Sequence, residues 1–142
     1  MTVLDAYAVL AYLRNETAAE LITELLRSPT MLSAVNAAEV IDQLVRVYGR
    51  DPDDVHADLA VLSHAGMHLS PVSADVGILA GRLRARHYHR ERMAVSLADC
   101  VAAATALSTG RPLATADPAL AAMVRVEGIS LHAFPDSAGR LP

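Results

Sequence analysis

Along this chain, short apolar runs alternate with stretches whose apolar residues recur every three to four positions. The first run, Thr2 to Leu4, has the pattern of a strand and ends at Asp5, and the residues after it follow a helical period through Ala8, Leu10 and Leu13. Thr17-Ala18-Ala19-Glu20 has the spacing of a capping box and predicts a second helix to about Ser28, stopping before Pro29, so that the first two helices form a hairpin. Met31 to Ser33 predicts a second strand. Ser33 then caps a long helix, AVNAAEVIDQLVRVYG, with an apolar stripe of Val40, Ile41, Leu44, Val47 and Tyr48 and Gly49 at its C-terminal end. Asp51 with Pro52 opens a helix to about His64, Met67 to Pro71 is strand-like, and Ser73 caps ADVGILAGRLRARHY. A helix from Ser96 to Thr109 is closed by Gly110, Pro112 to Thr115 and Ile129 to Ala133 are the last two strands, and SAGRLP is a loose tail. Alternation of this kind specifies an α/β fold, a three-layer α/β/α sandwich with a mainly parallel central sheet. At 142 residues and 53% hydrophobic, the expectation is a single domain spanning residues 1–142.

The helix SLADCVAAATALST is apolar almost all the way round, so it is a buried helix, yet it carries Asp99. A carboxylate there must be hydrogen-bonded, paired or bound to a metal, because an isolated charge in low dielectric costs several kcal/mol. The structural alternative is that Asp99 completes a capping arrangement with Ser96. Asp5 and Asp117 each stand where a strand hands over to a helix, the edge of an open α/β sheet at which ligands bind, and each is also placed to cap the helix that follows. Glu39 lies off the apolar stripe of its helix and, on its own, reads as a solvated glutamate beside Arg46 and Asp42.

Composition narrows what these acids can do. The single cysteine, Cys100, lies in the apolar helix and gives neither a disulfide nor a thiolate zinc site. His87 and His89 are not placed beside an acid in any usual ligand spacing. The N-terminus meets an acid at once with no basic leader and no apolar run is long enough to cross a bilayer, so a soluble cytoplasmic protein is expected. The net charge of −4 argues against a nucleic-acid coat protein but not against an enzyme acting on nucleic acid. All twelve basic residues are arginine, which removes every mechanism that needs an ammonium group. Five of them, Arg82, Arg84, Arg86, Arg90 and Arg92, lie in RLRARHYHRER around Tyr88, a segment suited to phosphates with a ring offered for stacking, or simply a solvated face.

Asp5, Glu39, Asp99 and Asp117 together form a pattern: carboxylates gathered at one sheet edge repel, and the usual remedy is a hard divalent cation, Mg²⁺ or Mn²⁺. At this point the segments VLDAYAVLAYL, SAVNAAEV, SLADCVAAATA and PLATADPALA, in this order and spacing, resemble the four acidic motifs of the PIN-domain nucleases, most closely VapC-type toxins of toxin–antitoxin pairs. The resemblance implies a PIN-type sandwich, metal-dependent cleavage of RNA through in-line attack of water, and inhibition by a cognate antitoxin. It also implies Asp5, Glu39, Asp99 and Asp117 as the catalytic, metal-binding acids, with Thr115 the small hydroxyl residue preceding the last of them and a further candidate for contact with RNA. Relatives often carry Thr or Ser followed by Asn or Ser where this chain has Ala6-Tyr7. A receiver-like or phosphatase-like Mg²⁺ domain is disfavoured by the absence of lysine, and a catalytically silent PIN-fold binding module is the other alternative. The apolar hairpin from Ala8 to Leu26, with Tyr12 and Leu13, is the expected face for a homodimer and for the antitoxin.

Overall fold

A computed structural model describes all residues, 1–142. Its elements follow the alternation in the sequence: β1 (Thr2–Leu4), α1 (Ala6–Leu13), α2 (Ala19–Leu26), β2 (Thr30–Ser33), α3 (Ala34–Asp42), α4 (Pro52–His64), β3 (Met67–Ser70), α5 (Ala74–His87), α6 (Leu97–Thr109), β4 (Leu113–Thr115), α7 (Pro118–Val126) and β5 (Leu131–Ala133). The five strands form one sheet in the order β3-β2-β1-β4-β5, and every pairing is parallel. β1 matches the sequence expectation, and the other strands differ from it at one end by one or two residues, as element boundaries commonly do.

Successive residues of a strand point to opposite faces, and here that divides the apolar interior in two. Leu4, Leu32 and Ala114 join α1 to α4 in one core, while Val3 and Leu113 join α5, α6 and α7 in the other. The chain builds outward from β1 through β2 to β3 and then returns to place β4 on the other flank of β1. That reversal makes the β1/β4 junction a topological switch point, with a crevice beyond the carboxyl ends of the strands. Asp5 and Asp117 follow those two ends directly.

Three local expectations are corrected. Thr17 does not cap α2: the helix opens from a backbone turn in which the Ala19 amide donates to the Glu16 carbonyl, and Ala18 occupies the cap position in a helical conformation with no side-chain bond. Beyond α3 the helix continues through Gln43–Val47 as a π-helical turn. The wider turn shifts the phase of the residues that follow, so Leu44 stays buried but Val47 and Tyr48, expected on the apolar stripe, are about half exposed. The C-terminal tail is tethered: Phe134 is buried, Asp136 and Arg140 close a turn, and the Ser137 amide donates to the Tyr7 hydroxyl.

Candidate active site

Helix caps deliver three of the four acids. Asp5 is the N-cap of α1, with Oδ1 accepting the Ala8 amide at 2.8 Å. Asp117 caps α7 in the same way, Oδ1 accepting the Leu120 amide at 2.7 Å. Asp99 and Ser96 form a reciprocal capping box: the Ser96 amide donates to Asp99 Oδ2 at 2.7 Å, and the Asp99 amide donates to the Ser96 hydroxyl at 3.0 Å. The capping role and the candidate site role therefore coexist. One oxygen of each aspartate holds its helix end, while Asp99 Oδ1 and Asp117 Oδ2 carry no donor from the protein.

The four acids line one cleft of about 280 Å³, together with Ala6, Tyr7, Leu10, Arg14, Gln43, Tyr48 and Ser96. None of the chain's seven ion pairs involves any of the four. Asp5 is only 2% exposed, and burial pushes its carboxyl up from 3.8 to about 7 despite hydrogen bonds from Thr115 and Ala8, with the charges of Asp99 and Asp117 adding to the rise. Asp99 is raised by burial and further by Asp117, against its bonds with Ser96. Glu39 is raised by burial and by Asp99, against a hydrogen bond from Asn36. These are uncompensated carboxylates in mutual repulsion.

No three acidic or histidine side chains are arranged as a ready-made cage for an ion. The donor set nonetheless suits a small hard cation, since Mg²⁺ keeps several of its waters and is commonly held by one or two carboxylates plus a substrate phosphate. Oxygen ligands without cysteine or histidine disfavour zinc.

Two residues organise the acids and were not legible as such. Thr115 is fully buried, its hydroxyl accepts the Asp117 amide at 2.9 Å, and its presence beside Asp5 acts to hold that carboxyl down against burial. Its hydrogen bond is to the backbone of one of the four acids. Asn36 is buried at the start of α3, accepts the Ser33 hydroxyl and donates to the Ala98 carbonyl at 3.2 Å, tying α3 to the first turn of α6 and supporting Glu39. An asparagine one turn before Glu39 on the same helix was the available signal, and it looks like any capping residue. Arg14 and Tyr48 at the rim were missed entirely, because only the π turn and the end of α1 bring them to the cleft.

The arginine segment is split by the structure. Arg86 pairs with Glu127 at 2.9 Å, beside His87 on the same carboxylate at 2.5 Å. Arg84 lies over the Tyr88 ring at 4.4 Å, which engages that ring within the protein. Arg82, Arg90 and Arg92 are exposed. Cys100 is buried, with its thiol pushed up to about 11 by burial and by Asp99, which fits a space-filling role.

The fold aligns with several known structures. Mycobacterium tuberculosis VapC20, a sarcin–ricin loop cleaving toxin, is similar at 20% identity and a TM-score of 0.69, covering 86% of this chain and 94% of that one. VapBC2 from Rickettsia felis, bound to a promoter DNA fragment, is similar at 15% identity and 0.68, covering 92% and 96%. FitAcB from Neisseria gonorrhoeae is similar at 19% identity and 0.66, covering 99% and 100%. No curated protein sequence matches significantly. The family model of the PIN domain matches residues 2–126, which include all four acids. With its five-stranded parallel sheet and its acids at the switch-point crevice, this chain belongs to the PIN-domain family.

Proposed function

We propose that this protein is a divalent-metal-dependent endoribonuclease of the VapC kind, the toxin of a toxin–antitoxin pair. The observation that carries the reading is the convergence of Asp5, Glu39, Asp99 and Asp117 on one cleft with no cation paired to any of them. An arrangement that raises three carboxyls works against the stability of the fold and suits a ligand that is positively charged.

Asp5 and Asp99 are the residues to hold Mg²⁺ or Mn²⁺ directly, with Asp117 next. Bound there, the ion would polarise a phosphoryl oxygen and acidify a water molecule. Glu39, raised by burial and by Asp99, orients the attacking water and accepts its proton. Thr115 fixes the spacing of Asp5 and Asp117, and Asn36 holds Glu39 toward the start of α6. The protein supplies no nucleophile in this scheme.

An antitoxin partner is supported by the toxin–antitoxin complexes among the similar structures. The α1–α2 hairpin is the surface proposed for it and for a homodimer: Tyr12, Leu13, Leu25 and Leu26 are only partly buried and Leu21 is exposed. The test is cleavage of RNA by purified protein in Mg²⁺ or Mn²⁺, silence in EDTA, and loss of turnover in Asp5→Asn and in Asp99→Asn with both variants folded. Full activity in either variant would remove it from the site.

A further inference from the structure

We propose that Arg14, held over Tyr48 and tethered by Glu16, is a substrate-binding residue of the acidic cleft that receives a phosphate adjacent to the one facing the acids; this rests on the nuclease reading. A cleft carrying four carboxylates repels a polyanion. Arg14 is the sole cation among the residues that line it.

The local chain is built to hold this arginine still. Arg14 ends α1, and Asn15 follows in the left-handed region at φ 51°, a conformation asparagine tolerates at helix ends. The Glu16 amide then donates back to the Ala11 carbonyl at 2.9 Å, turning the Glu16 side chain to Arg14. Glu16 accepts a hydrogen bond from Arg14 and one from the Tyr7 hydroxyl at 3.2 Å, and Tyr7 in turn accepts the Ser137 amide at 2.9 Å. On its other side the guanidinium carbon lies 3.8 Å from the centre of the Tyr48 ring. That ring reaches the cleft because of the π turn that precedes it.

An arginine engaged by a carboxylate and a ring has less rotamer freedom left to lose when a ligand arrives, which lowers the cost of binding. Glu16 engages one of its N–H donors, and the others have no partner in the protein. A planar fork with free donors matches phosphate oxygens. Tyr7 belongs to the network that orients Arg14.

The experiment measures binding of a labelled single-stranded oligoribonucleotide in EDTA by fluorescence anisotropy over a salt series, and KM and kcat for its cleavage in Mg²⁺. Wild type, Arg14→Ala, Arg14→Lys, Tyr48→Ala and Tyr48→Phe are compared, with melting curves to show that each is folded. Arg14→Ala should bind about tenfold more weakly, its slope of log affinity against log salt should fall by about 0.7, the value for one phosphate contact on a single strand, and KM should rise more than kcat falls. Arg14→Lys should keep the slope but not the full affinity. Tyr48→Ala should weaken binding with the slope intact, and Tyr48→Phe should recover most of that loss. If wild type binds and cleaves RNA and Arg14→Ala matches it in affinity and slope, the Arg14 assignment alone is overturned. If wild type neither binds nor cleaves, the nuclease reading falls and the assignment with it.

Discussion

Replacing Asp5 by asparagine should stabilise the metal-free protein, and should do so more strongly at high pH. In the folded chain the carboxyl is raised from 3.8 to about 7 by burial, with its acidic neighbours adding. A difference of that size corresponds to about 4 kcal/mol between the two protonation states, at 1.36 kcal/mol per unit. Asparagine caps a helix about as well as aspartate, so the bond from the Ala8 amide survives, but the lost negative charge at the start of α1 costs roughly 0.5 kcal/mol. The net gain is about 3.5 kcal/mol, or about 12 °C in Tm for a chain of this length. The direction with pH follows from proton linkage. Between about pH 4 and 7 the folded chain holds a proton on Asp5 that the unfolded chain has released, so wild-type stability falls as pH rises through that window and levels off above it. Asp5→Asn removes this slope, and its advantage at pH 5 should be less than half of that at pH 8. The assay is a set of thermal melts in EDTA at the two pH values, repeated in Mg²⁺, which should stabilise wild type by about 2.7 kcal/mol at a hundredfold excess over Kd and do far less for the variant. An Asp5→Asn protein that melts below wild type at pH 8 in EDTA would refute the reasoning, because Asp5 would then be a net stabilising charge.

Ser96→Ala removes the acceptor for the Asp99 amide and should lower Tm by about 3 °C, the effect of about 1 kcal/mol from a lost cap; an unchanged melt would show that α6 does not depend on its box. Substituting Arg90 and Arg92 together should reduce the salt slope of RNA binding by about 1.4 if both touch phosphates. Arg86→Ala, whose side chain is paired with Glu127, should leave that slope alone, and equal slopes in all these proteins would return the whole segment to a solvated face.

The order of elements and the position of Asp5, Asp99 and Asp117 were legible because caps and strand ends are local features. Asp5 follows three strand residues, Asp117 precedes Pro118, and Ser96 stands three residues before Asp99. Glu39 was legible only through the family pattern, since its helical wheel shows an ordinary surface glutamate. What escaped the sequence depends on phase or distance. The π turn at Gln43–Val47 leaves no period of its own in so short a stretch, yet it decides that Tyr48 meets Arg14. Thr17 and Glu20 carry the letters of a capping box, but a preceding turn closed by Glu16 supersedes it. The bond from Ser137 to Tyr7 spans 130 residues and has no signature in either segment.

Helix α6 runs through the interior on alanines. Every residue from Cys100 to Ala106 is buried, and α6 packs against α3, α5, α7 and three strands. Accuracy at its first turn is thus set by missing volume: small side chains let the helix lie close to its neighbours, and close-packed neighbours leave it no room to slide. A methyl-sized enlargement at Ala102, Ala103 or Ala104 would have nowhere to go except by displacing the helix. Such a shift would be felt a turn away by Asp99, so these alanines, which touch no substrate, act as the gauge that sets how far one carboxylate stands from the other three.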